Sequence, residues 1–118
     1  MKVLKTIRKD IMGIILEHLA VEDCVIFLFG SFARGKSDRA SDIDVGIICD
    51  KKITRAKLAA VKSEIEEKVK TLRKVDVVDF YGIKNNAFLE VSLREVEVWH
   101  QTGKSKVFLS NLRKRIKD

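Results

Sequence analysis

Two short apolar runs, Ile43–Cys49 (IDVGIIC) and Val75–Tyr81 (VDVVDFY), bracket a long amphipathic segment. Between them, Thr54 to Leu72 sets Leu58, Val61, Ile65, Val69 and Leu72 along one side of a helix of about five turns, with charged residues on the other side. A strand, a crossover helix and a second strand form a right-handed unit whose strands run parallel. That unit constrains the fold more than any other feature of the chain. A further run, Cys24–Phe29 (CVIFLF), is continuously apolar and closed by Gly30, the pattern of a strand buried on both faces.

The flanking segments complete the outline. Leu4, Ile7, Ile11, Ile14 or Ile15, and His18 or Leu19 recur at helical spacing, so the chain opens with an amphipathic helix. GSFARGKSDRAS, after the first strand, is a loop with one helical turn following Ser31. Asn86 to Glu95 reads as a helix and Val96 to Gln101 as a short edge strand ending in the Thr102–Gly103 turn. From Lys106 onward, Phe108 or Leu109, Leu112 and Ile116 mark a last helix. With 118 residues the chain fits one domain, 1–118, of α/β (α+β) class: a small mixed sheet flanked by helices.

No apolar run approaches the length of a membrane span, and MKVLKTIRKD lacks the apolar stretch of a signal peptide, so the expectation is a cytoplasmic protein. Cys24 and Cys49 sit in separate strand-like runs without metal-ligand spacing and are expected as buried, reduced thiols. The net charge is +7, and Lys104 to Asp118 carries six basic residues against one acidic. That tail is either a solvated helix face or a surface for an anionic partner. His18 and His100 have no triad or zinc spacing and are expected in helix-face or surface roles. Trp99 is expected to anchor the edge strand.

The chemistry concentrates in one stretch: Gly30-Ser31, ten residues, then Asp42-Ile43-Asp44. Side chains alternate along a strand, so Asp42 and Asp44 face the same way with Cα atoms about 6–7 Å apart. Two carboxylates at that distance repel by roughly 2–3 kcal/mol at an effective dielectric near 20, unless a cation lies between them. Mg²⁺ accepts such a pair while keeping sites for substrate phosphates. Gly30 lets the backbone approach a ligand, and Ser31 offers a hydroxyl and an N–H to a phosphate. A third carboxylate is expected near the start of the third strand, level with Asp44, where Asp76 stands. Asp79, three residues on, falls on the opposite face and is expected as a surface or helix-facing carboxylate.

GSFARGKSDRASDIDVGI, with VDVV around Asp76, resembles the signature of the DNA polymerase β-like nucleotidyltransferase superfamily, in its smallest branch, the minimal nucleotidyltransferases (MNT). The resemblance spans roughly Val25 to Tyr81 and implies a palm-like nucleotidyltransferase fold. It implies that Gly30 and Ser31 hold the NTP β- and γ-phosphates. Asp42 and Asp44 would hold two Mg²⁺ ions, and Asp76 would ligand the catalytic one and help deprotonate the attacking hydroxyl. Arg34 would touch phosphate or pair with Asp38 or Asp42. The family further implies transfer of AMP from ATP to a tyrosine of a HEPN-domain toxin, the protein acting as antitoxin. Alternatives of other classes are a sequestering module that binds a partner without catalysis, and a nucleic-acid terminal transferase guided by the basic tail. Nucleic acid is the less favoured partner, and a homo-oligomer is compatible with the sequence.

Overall fold

A computed structural model describes residues 2–19, 22–33, 35 and 42–117. The element order is α1 (Lys2–His18), β1 (Cys24–Phe29), α2 (Gly30–Ala33), β2 (Ile43–Cys49), α3 (Arg55–Lys68), β3 (Val75–Asp79), α4 (Asn86–Ser92), β4 (Glu97–His100), a 3-10 turn at Ser105–Val107, and α5 (Phe108–Lys117). The strands form one sheet in the order β3-β2-β1-β4. β2 and β3, joined through α3, are parallel, as a crossover helix requires. β1 runs antiparallel to both β2 and β4, so the sheet is mixed.

Alternation along the strands divides the core into two layers. On one face Ile26, Leu28, Ile43, Val45, Ile47 and Val77 pack against Ile7, Ile11, Ile14 and Ile15 of α1 and Val61 and Ile65 of α3. On the other, Val25, Phe27, Phe29, Ile48 and Phe80 meet Leu89 and Leu93 near α4 and Leu109 and Leu112 of α5. Both faces of β1 are therefore covered, and all six of its residues are buried. Each buried isoleucine or phenylalanine contributes about 1.5–3 kcal/mol of apolar transfer.

Several expected boundaries move. α3 ends at Lys68, because Val69 turns to an extended conformation (φ −82°, ψ 120°) as the chain starts back toward the sheet. Leu72, expected on the helix's apolar face, instead lies in the returning loop and is fully exposed. The thiol expectation is corrected as well. The antiparallel register sets Cys24 directly opposite Cys49, and the two are joined as a disulfide with Cα atoms 4.0 Å apart.

Trp99 anchors β4 as expected. It is buried in the α1 layer, donates from Nε1 to Glu97 Oε2 at 2.8 Å, and lies under the Arg8 guanidinium at 5.8 Å. His18 is half-buried on α1, 3.3 Å from Glu64. The C-terminal segment is tied to the body by Ser105, whose hydroxyl donates to the Cys24 carbonyl at 3.0 Å. Its cations are in part structural: Arg113 donates to the Leu93 carbonyl at 3.1 and 3.3 Å, and Arg115 donates to the Ile83 carbonyl. α5 thus clamps both ends of α4. Among the described residues, no helix is long and apolar enough to cross a membrane.

Candidate active site

Register assembles the site. At the end of β1, Phe29 lies opposite Asp44 of β2, so Gly30 follows directly beside that aspartate. On the other side, Asp44 is paired with Asp76 of β3. Phe29, Asp44 and Asp76 therefore stand at one level across three adjacent strands, and Gly30 follows Phe29 at the edge of that row. Both aspartates are half-buried, and Asp44 is the single residue of β2 that is not fully buried. On neighbouring strands about 5 Å apart, two carboxylates repel by roughly 3 kcal/mol at an effective dielectric near 20.

Gly30 has φ 74°, a left-handed conformation, and a Cβ placed on it would overlap Asp44 Oδ2. Only a glycine lets the backbone turn there while the carboxylate lies against its Cα. The turn leads into α2, which carries the backbone of Ser31. The helical turn expected after the first strand is thus present.

Asp42 is exposed, one position ahead of β2. Alternation puts it on the Asp44 side of the strand, at the rim of the site rather than in its floor. Among the described residues, no three His, Cys, Asp or Glu side chains converge closely enough to hold a metal by themselves. The pair set side by side by the register is Asp44 with Asp76. Asp79 is on the opposite face, where Oδ2 accepts from the Ile53 N–H at 3.1 Å and Oδ1 from the Tyr81 N–H at 3.0 Å. It fastens the segment before α3 to the end of β3 and has no place at the site. Arg34, Asp38 and Ser41 lie outside the described residues.

Two features escaped sequence reasoning. Lys74 precedes Asp76 by two residues, and its carbonyl accepts from the Ile43 N–H at 2.9 Å. That bond belongs to the Ile43–Val75 pair that begins the β2–β3 ladder, so Lys74 and Asp42 are the residues that precede it on the two strands. The period of two was the signal for it, had the pairing been known. The other is an aromatic wall. Phe27 and Phe80 (centroids 5.1 Å apart) close over Gly46, where a Cβ would overlap the Phe27 ring. Phe29 meets Phe80 edge-on at 5.1 Å, and Phe88 of α4 stacks on Phe80 at 5.7 Å. These rings separate the carboxylates from a cavity of about 520 Å³ at the far end of the same face, lined by Ile48, Asp50, Tyr81 and Arg115 among others. That cavity contains none of the site aspartates.

Comparison with known proteins follows the same lines. The polymerase beta nucleotidyltransferase family matches residues 11–102. No curated protein matches the chain significantly in sequence. Among solved structures, the chain resembles one in a toxin–antitoxin crystal structure with AMP-PNP (TM-score 0.74, 16% identity, 93% of this chain and 86% of that one). It also resembles one in the crystal structure of the toxin–antitoxin MntA-HepT (TM-score 0.70, 13% identity, 96% and 86%). A third is found in the structure of a tri-AMPylated Shewanella oneidensis HEPN toxin in complex with an MNT antitoxin (TM-score 0.67, 13% identity, 96% and 88%). At these identities the likeness is one of fold.

Proposed function

Since the chain belongs to the polymerase beta nucleotidyltransferase family, we propose that it transfers AMP from ATP to a tyrosine of a HEPN-type toxin and so acts as an antitoxin. The observation that carries this reading is the pairing of Asp44 with Asp76 across β2 and β3, with the bare Cα of Gly30 held against the Asp44 carboxylate. The fold neighbours support the choice of acceptor and nucleotide: one is a toxin–antitoxin structure with AMP-PNP, another is found with a tri-AMPylated HEPN toxin.

The donor set suits Mg²⁺. It takes hard carboxylate oxygens, one or two from the protein, and leaves positions for phosphates. Asp44 and Asp76 would supply such a pair, and Asp42 at the rim would join them once its exposed side chain turns inward. When bound, the metal neutralises charge building on the phosphates and orients them for in-line displacement.

The chain's own groups do the rest. Gly30 and the Ser31 backbone N–H receive the β- and γ-phosphates where the chain leaves β1. Arg34, three residues after Ser31 in the sequence, would either add a positive charge to that cradle or pair with Asp38 or Asp42. Asp76 accepts the proton of the attacking hydroxyl, since it is the carboxylate farthest across the sheet from the cradle. The Phe29–Phe80 wall keeps water from one side of the reacting phosphate.

The test is incubation with α-labelled ATP, Mg²⁺ and the partner protein, comparing wild type with Asp42→Asn/Asp44→Asn. Label on a partner tyrosine with wild type only is the expected outcome. If wild type moves no label from any NTP, yet still binds the partner, the protein is a sequestering module. Label found only on the 3′ end of RNA identifies a terminal transferase instead.

A further inference from the structure

β3 is an outer strand of the sheet, and no described strand pairs with its free side. Toward β2, the Lys74 carbonyl accepts from the Ile43 N–H, and the Phe80 N–H donates to the Ile47 carbonyl. Backbone groups alternate sides along a strand, so those of Val75, Val77 and Asp79 point away from β2. An edge of this kind is a template for a further strand. Leu72 before it and Tyr81 after it are large apolar side chains left exposed.

Helix α3 borders the same edge. On one side of it, Glu64 meets His18 of α1 and Lys57 meets Glu22. Arg55, Ala59, Lys62 and Glu66, spaced four, three and four residues apart, form the other side, and all are exposed. Among the described residues, Arg55, Lys62 and Glu66 have no ion pair. Between that side and β3 lies a cavity of about 480 Å³, lined by Lys62, Glu66, Val69 and Val75 among others. Ile53, just before α3, bonds Asp79, and Val69, just after it, lines the cavity together with Asp76. The middle of α3 thus lies over Val77.

We infer that β3 pairs antiparallel with β3 of a second copy of this chain, about a twofold axis through Val77, joining two four-stranded sheets into one. This register pairs all five strand residues. It sets Val77 against Val77, Val75 against Asp79 and Asp76 against Val78, whereas an axis through Asp76 or Asp79 would oppose two carboxylates. The helices agree with it. Strands lie about 4.8 Å apart and α3 covers both β2 and β3, so the two copies of α3 run antiparallel about 10 Å apart, a packing distance. Reversed against itself, the exposed row sets Arg55 against Glu66 and the small Ala59 against Lys62. Strand register and charge pattern are both self-complementary, as a twofold interface requires. Each copy also places its Val78 beside the other's Asp76, at the open side of the candidate site.

Sedimentation velocity and amide exchange on the full chain test this. Wild type is expected to be a dimer at about 100 µM, as a micromolar Kd gives. Glu66→Arg sets two cations together at both ends of the helix pair and should weaken the dimer about tenfold or more, and Arg55→Glu/Glu66→Arg should restore it to within about threefold. Glu67→Arg, the same charge change on another side of α3, should leave it within about twofold. The Val77 and Asp79 amides should exchange about tenfold faster at about 1 µM than at about 100 µM, as the monomer fraction rises, with the Val78 amide, turned toward β2, unchanged. A monomer at every concentration, a dimer indifferent to Glu66→Arg, a swap that fails to restore it, or an equal loss in Glu67→Arg overturns the inference. So does a dimer whose Val77 and Asp79 amides exchange freely. Protection of those amides only on adding a partner protein assigns the edge to that partner and overturns self-pairing as well. None of these measurements involves nucleotide transfer, so the transferase reading stands or falls separately.

Discussion

Replacing Gly30 with alanine isolates the contact on which the site depends. The residue sits at φ 74°, where an L side chain costs about 1–2 kcal/mol. The added Cβ also overlaps Asp44 Oδ2 and reaches within 3.2 Å of its Cγ, so the carboxylate must swing off its rotamer, at about 0.5–1.5 kcal/mol more. Gly82→Ala is the control: its φ is 76°, and nothing lies within 4 Å of the added Cβ. Urea denaturation should therefore show Gly82→Ala losing about 1–2 kcal/mol and Gly30→Ala about 2–3 kcal/mol. Activity separates them more widely. A carboxylate displaced by about 1 Å costs on the order of 100-fold in nucleotide transfer, while Gly82→Ala leaves the rate unchanged. Full transfer activity in Gly30→Ala, with a stability loss equal to that of Gly82→Ala, would refute the claim that the bare Cα exists to seat Asp44.

Asp76→Asn should lower the transfer rate by about 10²–10⁴-fold with stability unchanged or raised, because it removes a like-charge neighbour of Asp44. Asp79→Ala should do the reverse, losing about 1–3 kcal/mol in thermal denaturation as the Ile53 and Tyr81 N–H groups lose their acceptor, with transfer retained. Arg113→Ala frees the Leu93 carbonyl, and amide exchange at Leu89 and Leu93 should speed up, with about 1–2 kcal/mol of stability lost; unchanged exchange would mean that α4 does not depend on the clamp. Reduction of Cys24–Cys49, which closes a loop of sequence separation 25, should cost about 3 kcal/mol of stability, and alkylation before reduction should label neither cysteine. An identical melting temperature in oxidised and reduced protein would contradict that estimate.

The sequence alone carried whatever is local along the chain. The apolar runs of β1 and β2, the helical spacing of Ile7, Ile11, Ile14 and Ile15, and the two-residue offset between Asp42 and Asp44 each depend only on a period of 2 or 3.6. Asp76 was legible as well, because a parallel crossover unit allows one alignment of strand starts and alternation excludes Asp79. Pairing across strands was not legible, since register is decided by many weak contacts between residues far apart in sequence. It alone set Cys24 against Cys49, turning two expected free thiols into a crosslink. It alone closed Phe27 and Phe80 over Gly46. Leu72 shows the converse: its helical spacing was real, but the return to the sheet ended the helix at Lys68 and left the side chain in water. The sequence determined where the candidate carboxylates fall along their strands and the layered fold that carries them. The tertiary structure decided which side chains surround those residues, because neighbours across a sheet are chosen by long-range packing and not by position along the chain.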